Sequence, residues 1–376
     1  MFIELSFPPE IAGLVLAFLN GEVAIYYIIG YKKANQGINY IPQNYEVKPT
    51  DDDQVEILSK FTDIRNLYLD DECSLNFLGH FTNLTKLTLE TDIYHSSEIV
   101  KLQNLKELKT RYTRAARIST KSLSTIKGVE RYEGLLHPTK DSFSFNLTEF
   151  KGKLKHKGNI SLVEYFNPDK LSKLALFQSE EEVVVDLKLF TNLVDLCIDV
   201  KYLNKDTLSE MKKLTSLRIF GKEDFDFNLI SCLPSLRKLV IDSELKIIFS
   251  GDLPINVLGN LESLVIGDTG FSNIYEVEFK SILTSSVNLK HLQLGKLDWR
   301  LLQCLSINLI SLYIFRFDDN FRLEGINKLI NLESFTVLNE NLLDSDIAIL
   351  AKCPKLKNLR IKASVTKEVL LSLKRM

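Results

Sequence analysis

The sequence predicts an α/β fold built from repeated units, with a curved parallel sheet on one side and short helices or turns on the other. Three observations predict it. The motif Leu84-x-x-Leu87-x-Leu89 recurs as Ile64/Leu67/Leu69, Leu105/Leu108, Leu193/Leu196/Ile198, Leu214/Leu217/Ile219, Leu236/Leu239/Ile241, Leu261/Leu264/Ile266, Leu289/Leu292/Leu294, Leu309/Leu312/Ile314, Leu332/Phe335/Val337 and Leu356/Leu359/Ile361. Looser copies at Val129/Tyr132, Leu147/Phe150 and Leu171/Leu174/Leu176 bring the total to fourteen, with first positions 18 to 28 residues apart. A composition of 45% hydrophobic and 26% charged residues over 376 supplies ample material for a core. A period in the twenties with an LxxLxL centre is the signature of leucine-rich repeats.

The pattern has a physical reading. Along a strand, LxL points two leucines to one face and the residue between them to the other. A single unit cannot bury its leucines alone, so each strand pairs in parallel with the next and the connection returns along the outside. At about 4.8 Å per strand, fourteen strands make a concave sheet of about 60 Å, a size suited to macromolecular partners.

Composition narrows the function classes. A net charge of −2 and a pI near 6.3 lack the basic field that nucleic-acid binding needs. Cys73, Cys197, Cys232, Cys304 and Cys353 are odd in number, widely spread and without a CxxC pair, which argues against a disulfide framework or a zinc site and for a reducing compartment, cytoplasmic or nuclear. The five histidines have no metal-ligand spacing, and GxSxG, HExxH, phosphate-loop and GxGxxG motifs are all missing. We therefore expect no enzyme activity, no cofactor and no metal. The sequons at Asn83, Asn146 and Asn159 read as chance overlaps in a chain rich in Asn and Leu.

Residues 1–45 form a separate helical module in this reading, residues 46–60 a linker or cap, and residues 61–376 the repeats. The apolar run 11–31 has the length of a membrane span, but acids at Glu4 and Glu10 precede it and Asn20-Gly21-Glu22 breaks it, so two short helices fit better and no membrane partner is expected. Asp51, Asp52 and Asp53 read as a solvated helix N-terminus, where carboxylates meet free amides. Between residues 111 and 169 the repeat blurs but keeps phase, consistent with one continuous arc.

Two stretches carry a resemblance. Leu5-Ser6-Phe7-Pro8-Pro9-Glu10-Ile11, followed by Leu14, Leu16, Phe18 and Leu19, resembles the opening of an F-box, with Phe7 where Leu is usual and without the tryptophan often found in the third helix. Residues 343–361, with Cys353-Pro354-Lys355-Leu356 before Leu359 and Ile361, resemble the cysteine-containing repeats common behind F-boxes. The turn Asn or Cys usual three residues after LxL is missing, so irregular outer connections are expected. The resemblance to F-box/LRR proteins implies a substrate receptor of an SCF-type ubiquitin ligase: Pro8, Ile11, Val15 and Leu19 dock a helical adaptor, and the concave face holds a protein substrate. The alternative is an LRR scaffold or regulator of another protein, such as a phosphatase or GTPase, whose N-terminal helices only cap the solenoid.

Two regions of the expected face stand out. In the early units, outward positions Glu107/Lys109/Arg111, Arg131/Glu133/Leu135 and Glu149/Lys151/Lys153 predict a cross-strand ion-pair ladder. Only the row Arg111, Leu135, Lys153 lacks acids, and it is a candidate for an acidic or phosphorylated segment. In the later units Phe177, Phe220, Tyr313 and Phe315 put aromatics where water is expected, and Gly267 and Gly295 suggest a notch between Asp242 and Phe315. The expected partner site is thus Phe177, Asp199, Arg218, Phe220, Asp242, Tyr313 and Phe315, with aromatic anchors and Asp199, Asp242 and Arg218 setting charge register. The opposing expectation is a tail or loop that folds over them.

Overall fold

A computed structural model describes residues 46–59, 64–70, 73–90, 98–111, 117–137, 145–154, 161–177, 185–267, 276–317, 322–338, 344–361 and 366. Pro8, Ile11, Val15 and Leu19 lie outside them, as does the F-box-like stretch. The chain divides into two compact units, Met1–Asp186 and Leu187–Met376.

In the first unit the strands are β1 (Glu46–Val47), β2 (Asn66–Leu69), β3 (Lys86–Leu89), β4 (Glu107–Thr110), β5 (Arg117–Ser119), β6 (Arg131–His137), β7 (Glu149–Leu154) and β8 (Lys173–Leu176). They form a parallel sheet in the order β1-β2-β3-β4-β6-β7-β8, with β5 paired to β6. The register joins repeat positions: Leu67 faces Leu87, Leu87 faces Leu108, and Tyr132 faces Phe150, which faces Leu174. Tyr132, Phe150 and Leu174 are fully buried, so the blurred stretch keeps its place in the sheet with larger side chains in the leucine positions. Sequence reading starts the repeats at residue 61, yet Val47 of β1 pairs with Leu67 and is itself buried. Helix α1 (Asp52–Ser59) follows; Asp51 Oδ1 accepts from the Gln54 backbone N–H at 2.8 Å, which places the aspartate run at a helix N-terminus.

The second unit has β9 (Asp195–Asp199), β10 (Ser216–Phe220), β12 (Lys238–Ile241), β14 (Ser263–Ile266), β15 (His291–Leu297), β16 (Ser311–Phe317), β17 (Ser334–Val337) and β18 (Asn358–Ile361), adjacent in that order and parallel. Strands β11 (Asp224–Asp226) and β13 (Lys246–Ile248) make a small second sheet on the return path. The returns are irregular, as the missing turn residue predicts, mixing 3-10 turns at Val200–Tyr202, Phe227–Cys232, Trp299–Cys304 and Ile326–Lys328 with helices such as Lys205–Glu210, Glu276–Ser285 and Asp344–Leu350. Inward leucines and isoleucines from Leu196 to Ile314 are at or near zero exposure, which is the burial that holds stacked units together. Each unit is thus a run of leucine-rich repeats, and the aliphatic LxL positions are what each contributes to its neighbour.

Candidate protein-interaction face

Because side chains alternate along each strand, the face opposite the buried leucines is presented to solvent. On the second unit its middle row runs through Arg218, Val240, Val265, Gln293, Tyr313 and Thr336, joined strand to strand by register. Phe315 follows Ile314 on β16 and is 47% exposed, a large aromatic side chain that the fold leaves in water. Tyr313 and Phe220 are half-buried on the same face.

The structure does not gather all the expected site residues. Phe177 lies after β8 in the first unit, where its backbone N–H donates to Gly152 O at 2.9 Å. Within the second unit Phe220 on β10 and Phe315 on β16 are four strand steps apart, about 19 Å.

Asp199 corrects the sequence reading outright. It is 3% exposed, and its carboxylate accepts from the Lys201 N–H at 3.1 Å as the cap of the Val200–Tyr202 turn. The strand ends at this residue, so alternation no longer sends its side chain outward. Asp226 and Asp298 cap the turns after them in the same way. Arg218 and Asp242 do lie on the face, but they hold each other: Arg218 Nη2 is 3.0 and 3.3 Å from the two carboxylate oxygens of Asp242. The notch also fails. A Cβ on Gly267 would sit 2.5 Å from the Ser243 backbone, so that glycine admits a close chain crossing, and Gly295 is buried.

On the first unit the ladder forms as the residues predict. Arg131 lies 3.1 Å from Glu107, Lys109 lies 3.3 Å and Lys151 2.6 Å from the two Glu133 oxygens, and Lys173 lies 3.7 Å from Glu149. Burial raises the proton affinity of Glu133, but hydrogen bonds and charges from Lys151 and Lys109 more than offset it, and its carboxyl titrates below the ordinary glutamate range. The row without acids does not survive as a basic edge: Arg111 pairs with Glu90, and Leu135, where β5 pairs onto β6, is buried. Lys153 remains on the strand, half-buried.

Cys73 and Cys353 are buried; burial, with Asp70 beside it, pushes the Cys73 thiol up to about 12, so it packs as a small apolar group. Cys197, Cys232 and Cys304 are half-buried. Among the described residues no group of His, Cys, Asp or Glu is arranged to hold a metal, and no helix is long and apolar enough to cross a membrane.

One structural device escaped the sequence reading. The side-chain amides of Asn104, Asn260, Asn288, Asn308 and Asn331 each donate to a turn carbonyl of the preceding repeat, Thr82, Pro234, Gly259, Val287 and Ile307, at 2.7 to 3.3 Å. The signal was present as Asn immediately before the first leucine of these units.

No protein-family model matches the sequence, and no curated protein is significantly similar to it. Among solved structures the chain is similar to a leucine-rich repeat protein of Leptospira interrogans, at 17% identity and a TM-score of 0.48, covering 85% of this chain and 84% of that one. It is similar to an internalin of Listeria monocytogenes at 18% identity and a TM-score of 0.33, covering 98% and 92%. It is also similar to the Toll–Spatzle complex of Drosophila at 13% identity and a TM-score of 0.39, covering 83% and 45%.

Proposed function

We propose that this chain is a non-enzymatic protein-interaction module whose second unit binds a protein partner on the open face of its sheet. The observation that carries the reading is Phe315, 47% exposed beside the half-buried Tyr313 on a strand that carries no carboxylate. Exposed aromatic side chains on a rigid strand lose little freedom on binding, and such residues supply most of the energy at protein interfaces. The paired charges on the first unit's face argue for a supporting role there, because breaking each pair to bind would return only what it cost.

The finer reading is that the protein is the substrate-recognition subunit of an SCF-type ubiquitin ligase in the cytoplasm or nucleus, with Pro8, Ile11, Val15 and Leu19 docking the adaptor. The F-box-like sequence at residues 5–19 supports it. A second reading, in which residues 1–45 only cap the repeats, is favoured by β1: among the described residues it is the end strand of the sheet, it begins at Glu46 directly after that segment, and sheet edges need cover. Two measurements separate them. Co-elution of the full chain with an adaptor from its own organism, lost on changing Pro8 and Ile11 to charged residues, supports the ligase role; absence of co-elution with every adaptor removes it. Deleting residues 1–45 should leave Tm nearly unchanged for a tethered module and lower it strongly for a cap.

A further inference from the structure

The outward positions of β14 to β18 carry no carboxylate among the described residues, and that part of the face is bordered by cations. Lys238 on β12 and Arg360 on β18 are both exposed and form no ion pair among the described residues, whereas Arg218, one strand before Lys238, is already held by Asp242. His291 shares a row with Lys238, joined through Ser263, two strand steps or about 10 Å away. Arg360 is likewise two steps from Tyr313 in the middle row, through Thr336. Val265, Tyr313 and Phe315 occupy the ground between. The contrast lies in the first unit, where Glu107, Glu133 and Glu149 answer the strand cations one by one.

We propose that this face takes an extended segment of a partner protein that has an aliphatic or aromatic centre and Asp or Glu on both sides of it. The apolar centre lies against Tyr313 and Phe315; one acidic flank meets Arg360 and the other meets Lys238, with His291 offering a ring N–H to the same end. From Lys238 to Arg360 is five strand steps, about 24 Å, which an extended segment of about 7 residues spans. A basic segment would meet like charge at both ends, and a uniformly acidic one would leave the aromatic centre unused. The inference rests on the proposed docking role of this face and adds the chemistry of what docks.

The test is selection of a random-peptide display library on the full-length chain, repeated on Phe315→Ala and on the double variant Lys238→Gln/Arg360→Gln, each checked for an unchanged melting temperature. The expected winners have an apolar centre with Asp or Glu to either side, bind three- to tenfold more weakly when those acids become Gln, as about two exposed ion pairs predict, and lose that preference on the double variant. Winners that need Phe315 but show no acidic bias, or bind the double variant with the same preference, overturn the acidic-flank proposal and leave the docking role standing. Winners indifferent to Phe315→Ala, or no specific winners, overturn both.

Discussion

Asn308 Nδ2 donates to the backbone carbonyl of Val287 at 3.0 Å, and Asn331 repeats the bond to Ile307 at 3.1 Å. Each asparagine ties the turn of one repeat to the strand entry of the next. A hydrogen bond of this kind contributes about 0.5–1.5 kcal/mol net, and the carbonyl it leaves behind adds to the loss. Asn308→Ala and Asn331→Ala should each lower unfolding free energy by about 1–2 kcal/mol in urea titrations, while Asn327→Ala, on an exposed turn position, should stay within about 0.5 kcal/mol.

Gly134 is the tightest point of the first unit. Its φ is +152°, and a Cβ there would lie 1.9 Å from Thr110 Oγ1 and 2.8 Å from Tyr132 Oη. Those two hydroxyls are hydrogen-bonded at 3.1 Å, and the tyrosine donates onward to Leu135 O at 3.0 Å. Gly134→Ala therefore breaks a buried network as well as straining the backbone, and should cost about 2–4 kcal/mol by chemical denaturation. A cost below about 1 kcal/mol would mean that β6 relaxes freely at this point.

The Glu133 ladder predicts a pH dependence of definite sign. Its folded-state carboxyl titrates below the unfolded value, so the stability it contributes is present above the ordinary glutamate range near pH 4.3 and is lost as pH falls through the depressed folded value. Thermal melts at pH 7 and near pH 3 should show a smaller acid loss in Glu133→Gln than in the parent chain. Equal losses would show that Lys109 and Lys151 do not hold the carboxylate in solution.

The two aromatic residues of the second unit should separate in stability. Phe315, 47% exposed, should change unfolding free energy by less than about 0.5 kcal/mol when replaced by Ala, whereas the half-buried Phe220 should cost about 1–3 kcal/mol. The comparison is made by urea denaturation of the two single variants.

What the sequence made legible followed from a strict period. Leu67, Leu87 and Leu108 fall in register because one spacing governs them all, and the Arg131/Glu133 ladder follows from the same phase. Alternation fails where a strand ends: it sends Asp199 and Gly267 outward, but one caps a turn and the other admits the Ser243 backbone. Only the chain's path after the strand decides those positions. Strand β1 was hidden for another reason, since Glu46-Val47-Lys48-Pro49 has one apolar residue and no leucine spacing, and its place is set by pairing with β2. The asparagine tie is legible as Asn immediately before the first leucine, the opposite end of the motif from the turn Asn usual after LxL.

The central claim, that the open face of the second unit docks a protein, is tested most directly by one comparison. The full chain and its Phe315→Ala variant are used for quantitative affinity purification from the native host, and the affinity of the recovered partner is then measured for both. The account predicts a partner that binds the parent chain and loses about 2 kcal/mol or more of affinity, roughly 30-fold, with the variant at unchanged Tm. Equal recovery and equal affinity with Phe315→Ala would contradict it.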